Sequence, residues 1–150
     1  MHIRGFTLIE LLVVIAIIGI LSSVVLGSLS EARRKGQDAA VRSNLASARS
    51  QAQLFHESNL NSYEGVCDSG VLAGGVKSIY DTVSAAALAA GATSVGTGPS
   101  TATSATCNDD GETWAAEVPF VTGGFYCIDS VGAAATTTIS LLGAGEMVCQ

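Results

Sequence analysis

The chain has 150 residues, a formal net charge of −6 and a mean hydropathy of +0.44. That length allows one modest domain beyond any membrane segment, and so positive a hydropathy is unusual for a domain that is soluble throughout. The acidic balance argues against a general nucleic-acid binder, so no direct nucleic-acid partner is expected. The apolar weight sits at the start, over residues 6–29, and the rest is rich in Ala, Gly, Ser and Thr. Arg33, Arg34, Lys35, Arg42 and Arg49 precede the expected globular part, and Lys77 is the only basic residue after Arg49. The remainder reads as a solvated, extracytoplasmic surface.

Met1-His2-Ile3-Arg4-Gly5 leads into Phe6-Thr7-Leu8-Ile9-Glu10 and then into an apolar run in which Glu10 is the only ionisable side chain as far as Leu29. A helix of roughly 24 residues rises about 36 Å, enough to cross a bilayer with some tilt. A secretory signal peptide would have an apolar stretch of about 7–15 residues followed by a small-residue cleavage site. Here the run is longer, carries a carboxylate near its start and continues into a helical pattern, although Ser22, Ser23 and Gly27 are small. A carboxylate costs about 2.5–3.5 kcal/mol at the centre of a membrane helix and less near its end. Glu10 is therefore either a functional residue that needs a partner or an interfacial residue that stays wet. One feature opposes the simplest topology. Arg33, Arg34 and Lys35 follow the run while Arg4 alone precedes it, which by charge bias would leave the N-terminus outside.

Gly5-Phe6-Thr7-Leu8-Ile9-Glu10, with the uninterrupted apolar run after it, resembles the processing site of type IV prepilins and of type II secretion pseudopilins. The resemblance reaches roughly Leu29 and continues more loosely along the following helix. It implies cleavage after Gly5 by a prepilin peptidase, N-methylation of the new N-terminal Phe6, and a requirement for Glu10 in entry to a growing filament. It also implies an N-terminus on the cytoplasmic side, where that peptidase acts, and this overrides the charge bias. The implied partners are copies of the chain or other pilins, the peptidase, the membrane and an assembly platform protein. The implied location is the bacterial inner membrane, crossed once with the head outside the cytoplasm, and then a surface pilus. Cleavage would place an α-amine on Phe6, and Glu10 of a neighbouring subunit would neutralise it, so each buried charge satisfies the other.

Gly19, Ser23 and Gly27 recur at spacing four and share one helix face, where small residues allow close approach of membrane helices. The pilins resembled here often carry a proline at the position of Gly27. Further on, Val41, Leu45, Ala48, Ala52 and Phe55 follow a 4-3-4-3 spacing, predicting one apolar helical stripe that packs on a sheet. Arg42, Asn44, Ser47, Arg49 and Gln51 form its polar counterpart. The helix is expected to end near Ser58, where Asn59, Asn61 and Ser62 supply turn chemistry.

Residues 63–78 read as a connection that holds Cys67. Residues 79–90 read as a short Ala-rich helix stopped at Gly91, and residues 93–106, rich in Ser, Thr, Gly and Pro, as a surface loop. Strands are expected over residues 113–121, ending near Pro119, and over residues 125–129, with a turn at Gly123-Gly124 between them. A third is expected over residues 136–142. The class is therefore α+β. A long N-terminal helix, membrane-spanning in its first half, packs on a small antiparallel sheet, and this again resembles the pilin fold. The expected divisions are a leader at 1–5, a membrane and filament-core helix at 6–29, its amphipathic extension at 30–58 and an extracytoplasmic head at 59–150.

Cys67, Cys107, Cys127 and Cys149 all follow the apolar run, and an even number in an exported region suggests two disulfides. Three connectivities are open. Cys67–Cys107 with Cys127–Cys149 leads because each bond then joins neighbours in sequence. No C-x-x-C pair exists, so zinc is disfavoured. His56-Glu57 lacks the second histidine of a zinc-protease motif, and His56 reads as a polar residue at a helix end. Residues 108–112, Asn-Asp-Asp-Gly-Glu, have oxygens that suit calcium but lack EF-hand spacing, and they read as an acidic turn. The calcium motif of the major type II pseudopilin has no clear match, which favours a pilin over a pseudopilin. No metal, cofactor or enzymatic activity is expected. The alternatives are a pseudopilin of a secretion or DNA-uptake system, and a single-pass anchored binding domain that never polymerises.

Overall fold

The computed structural model describes residues 6–70 and 75–149. In chain order the elements are α1 (Leu8–Ser58), α2 (Tyr80–Ala89), β1 (Ser94–Gly96), β2 (Ser104–Asp109), β3 (Trp114–Pro119), β4 (Phe125–Asp129) and β5 (Ala134–Thr137). The five strands form one sheet in sequence order, with β1 parallel to β2 and the other pairs antiparallel. The chain divides into two compact units, the first ending at Arg34 and the second beginning at Lys35. This is the expected α+β, pilin-like class.

In the second unit the buried residues of α1 are Val41, Leu45, Ala48, Ala52 and Phe55, the apolar stripe predicted from spacing. They share a core with Ile79, Val83 and Ala86 of the α2 region and with Ala105, Cys107, Trp114, Ala116, Val118 and Ile128 of the sheet. The polar residues that flank this stripe are less free than their composition implies. Asp38 accepts the Val121 N–H at 2.8 Å and the Thr122 hydroxyl. The Arg42 guanidinium lies 4.7 Å from the Phe120 ring centroid and 4.8 Å from that of Tyr126, and donates to the Thr136 hydroxyl. Arg49 donates to the Ala133 carbonyl, and Gln51 accepts the Thr82 hydroxyl at 2.7 Å.

Two sequence expectations need correction. Residues 93–106 are not one surface loop: β1 and most of β2 lie there, so the sheet has five strands, one pair of them parallel. β2 carries Ala105 and Cys107 against the core and Thr106 and Asn108 on the other face, all buried. Small residues replace the usual β-branched and aromatic ones because this strand is covered on both sides, and the composition then imitates a loop. The last strand is Ala134–Thr137 rather than residues 136–142. Beyond Thr137 the chain leaves the edge and crosses the sheet.

That crossing makes a second core. All six residues of β3 are buried, although alternate side chains point to opposite faces. Register aligns Thr106, Glu117 and Cys127 in one row and Asn108, Ala115 and Asp129 in the next, on the face away from α1. Residues 138–149 form a strap over these rows, and Leu142 and Cys149 pack with Ala115 and Cys127. Each central strand contributes one buried polar side chain that holds the strap. The Glu117 carboxyl accepts the Ser140 hydroxyl at 2.5 Å and the Leu141 N–H at 2.8 Å. Asn108 donates to the carbonyls of Gly143 and Glu146 at 3.0 and 2.9 Å. Asp129 accepts the Cys149 N–H at 3.1 Å and the Ala133 N–H at 2.7 Å. The strap has no regular structure of its own, so these bonds satisfy backbone groups that burial would otherwise leave unpaired.

The β3–β4 turn uses the predicted glycines. Gly123 and Gly124 have φ of +103° and +84°, and a Cβ on Gly124 would run into the Thr137 carbonyl. The cysteines pair as Cys67–Cys107 and Cys127–Cys149, with Cα–Cα separations of 5.6 and 5.8 Å.

Candidate functional site

The first unit is the part of α1 that ends at Arg34. It is apolar and wholly exposed: the most hydrophobic stretch of α1 buries none of its residues within the chain. Among the described residues it is the one helix long and apolar enough to cross a membrane. Leu8, Ile9, Leu11, Leu12, Ile15, Ile18 and Leu21 are each more than half exposed. Water is a poor solvent for such a surface, so it requires lipid or other apolar helices.

Gly5, the expected cleavage position, lies outside the described residues. Phe6 is 81% exposed. Thr7 immediately precedes the helix, and with Glu10 it forms a reciprocal capping arrangement. The Glu10 carboxylate accepts the Thr7 N–H and the Thr7 hydroxyl, each at 2.8 Å, and the Glu10 N–H reaches the Thr7 oxygen at 3.3 Å. Thr7 is not among the residues that the resemblance singles out. The Thr-x-x-Glu pattern just ahead of an apolar run was the signal for it. Within a single chain, then, Glu10 is held at the first turn, where the helix dipole favours a negative charge.

Gly19, Ser23 and Gly27 all lie in α1, and a Cβ placed on either glycine would meet no atom within 4 Å. The Ser23 hydroxyl donates to the Ile20 carbonyl at 2.8 Å and so exposes no unsatisfied donor on this face. In the second unit, Asn108, Asp109 and Asp110 of the segment suggested for calcium each make hydrogen bonds within the protein, Asn108 through Nδ2 alone, since its buried Oδ1 accepts none. Asn108 holds the strap, as described above. Asp109 accepts the N–H groups of Gly65 at 2.6 Å and Cys67 at 3.2 Å. Asp110 accepts those of Thr113 at 2.7 Å and Glu112 at 2.8 Å. Burial pushes the Asp109 carboxyl above the usual aspartate range, against the pull of its two N–H donors, while the Thr113 and Glu112 donors hold Asp110 below it. Among the described residues, no set of three or more His, Cys, Asp or Glu side chains is arranged to hold a metal ion. His56 lies in the last turn of α1 with its ring 4.4 Å from that of Tyr63.

A capped apolar helix with a carboxylate in its first turn, continuing into a helix-on-sheet head, defines a type IV pilin-like protein. Residues 1–26 match the prokaryotic N-terminal methylation motif. Over 60 residues the chain is 45% identical to the type IV wide pilus major component PilA4 of Thermus thermophilus, an alignment that covers 40% of this chain and 45% of that relative. The chain thus spans less than half the length of the curated relative it matches. No solved structure gives a significant match.

Proposed function

We propose that this chain is a structural subunit of a type IV pilus or a closely related filament. In this reading residues 1–5 are a leader removed by a prepilin peptidase after Gly5, and the mature chain begins at N-methylated Phe6. Residues 6–29 anchor the subunit in the membrane and later form the filament core, residues 30–58 extend that helix, and residues 59–150 are the extracytoplasmic head. An assembly platform would move the helix from lipid into the filament. The observation that carries the proposal is the methylation motif over residues 1–26 leading directly into an apolar helix face that the chain itself leaves uncovered.

Glu10 has a defined part in this scheme. Cleavage creates a cation on Phe6, two residues ahead of the start of α1 at Leu8; if the helix continued to Phe6 the amine would lie about 6 Å along the axis from Glu10, from four steps of 1.5 Å. A neighbour's amine is reached at least as well, and pairing the two removes an unpaired charge from each buried position. The capping arrangement with Thr7 supplies a control. Glu10→Gln retains the capping pattern but not the charge, whereas Glu10→Ala loses both. Both variants are expected to insert and to be cleaved, and both are expected to be depleted from sheared surface filaments relative to the membrane fraction. Recovery of Glu10→Gln in filaments at wild-type level would reduce Glu10 to a helix cap. An intact Met1 start on the wild-type chain, in a host with an active prepilin peptidase, would refute processing. A cleaved protein that stays in the membrane and never reaches filaments would make it an anchored binding domain.

A further inference from the structure

Leu60 is 95% exposed, more than any other large apolar side chain among the described residues. Its φ is +56° and that of Asn61 is +60°. Asparagine adopts this left-handed region readily, whereas for a bulky residue it is an outlier. The conformation is held from both sides. The Asn61 N–H donates to the His56 carbonyl at 3.0 Å, and the Asn59 side-chain amide donates to the carbonyls of Ser62 and Glu64 at 3.2 and 3.1 Å. Strained backbone thus presents a leucine to solvent, where it gains nothing within its own chain.

A groove of about 120 Å³ lies between α2 and β1, with Tyr80, Ala87, Leu88, Ala92 and Val95 among its lining side chains. That is close to the roughly 150 Å³ left when one buried leucine is cut back to alanine. Knob and groove sit at opposite ends of β2. At its last residue, the loop after Leu60 is bonded through the Gly65 N–H to Asp109, and just beyond it through the Tyr63 N–H to the Gly111 carbonyl. At its start, Ser104 and Ala105 pair with Ser94 and Val95 of the groove. Five strand steps put the two ends about 17 Å apart. A contact between such unlike surfaces is heterologous, and repeated through parallel subunits it forms an open series rather than a two-fold pair. Charge points the same way. Ten acidic residues and one basic residue, Lys77, follow Arg49, so two heads repel over most of their surface. Residues 58–63, Ser-Asn-Leu-Asn-Ser-Tyr, carry no charge, and no side chain lining the groove does. These are neutral windows through which like-charged heads can touch.

We propose that Leu60 inserts into the α2–β1 groove of a second copy of this chain, so that successive heads stack through this contact. The proposal rests on the reading of the chain as a filament subunit and assigns the head surfaces that such a subunit uses.

The test uses the full chain in its host. The photo-reactive residue p-benzoylphenylalanine is placed at position 60, sheared filaments are irradiated, and the cross-linked dimer is digested and mapped. Position 60 is expected to be joined to residues 80–95 of a second copy. Two variants test the contact from either side. Leu60→Asn removes the apolar side chain yet suits the left-handed backbone, so in detergent micelles it should unfold at or above the wild-type midpoint. Leu88→Glu puts a charge into the groove from a position that is 69% exposed. Burying one leucine corresponds to about ten- to hundredfold in association. Each variant should therefore be cleaved, remain in the membrane fraction and be depleted at least about tenfold from filaments. Recovery of both variants in filaments at wild-type level, or cross-links to another segment or to a different protein, would overturn the contact and leave the filament reading standing. A wild-type chain that is cleaved but never reaches filaments would remove both. A lowered unfolding midpoint in Leu60→Asn would assign Leu60 to the folding of its own head, and the contact would be wrong.

Discussion

Replacing Glu117 with alanine tests whether the strap is held by specific polar contacts or by apolar packing alone. The side chain is fully buried in β3, and its two oxygens accept the Ser140 hydroxyl and the Leu141 N–H at 2.5 and 2.8 Å. The alanine variant leaves the Leu141 N–H without an acceptor, at about 1–3 kcal/mol, and removes side-chain methylenes from a covered site, at about 1 kcal/mol more. The net expectation is a loss of about 2–4 kcal/mol. Glu117→Gln keeps the volume and one carbonyl oxygen, so it should lose about 1–2 kcal/mol. Trp114 is the only tryptophan and is 1% exposed, so its fluorescence reports denaturant unfolding of the full chain in detergent micelles. Amide exchange at Leu141 reports the strap itself and should accelerate in both variants, more in alanine. An alanine variant within about 0.5 kcal/mol of wild type, with unchanged exchange at Leu141, would refute the reasoning and assign the strap to Leu142 and the disulfide.

Two further outcomes follow from the head. Opening Cys127–Cys149 by a double serine substitution releases a closed loop spanning 22 residues and should lower stability by about 3 kcal/mol on the loop-entropy estimate; unfolding midpoints that match wild type would refute this, and free thiols in the unreduced exported protein would refute the bond. The Asp109 carboxyl is raised by burial, so its share of stability is present below the ordinary aspartate range and lost as pH rises through its folded-state value. The stability of wild type relative to Asp109→Asn should therefore fall as pH rises from the ordinary aspartate range, and a difference that stays constant or grows in urea titrations across pH would contradict it.

The helices were legible because their signals are local. Spacing alone marked Val41, Leu45, Ala48, Ala52 and Phe55 as one stripe, and these are the buried residues of α1. Glycines placed the β3–β4 turn because a left-handed backbone demands them. β2 was not legible. Its apolar positions, Ala105 and Cys107, alternate with Ser104, Thr106 and Asn108 but are small, Thr106 is its one β-branched residue, and its burial on the second face depends on a strap more than 30 positions away in sequence, as in the Asn108 contact with Gly143. Separations of 24 and 20 positions likewise hid Glu117 and Asp129, whose roles as acceptors emerge only when the strap brings N–H groups to them. At the N-terminus the motif named Gly5, Phe6 and Glu10, but the link between Thr7 and Glu10 needed the geometry of the first helical turn.

The two disulfides also set how the head responds to tension. Each joins positions whose Cα atoms are under 6 Å apart although 40 and 22 residues of chain lie between them. A chain pulled from both ends cannot pay out the enclosed segments, which withholds about 200 Å of contour at roughly 3.4 Å per residue. Asp38, Arg42 and Arg49, spread along α1, bind Val121, Thr136 and Ala133. A load along the helix therefore falls on several bonds sheared together rather than on one bond peeled open. Under force the head behaves as a short, stiff link whose extension is capped by covalent bonds, and reducing agent would lengthen it without cutting the chain.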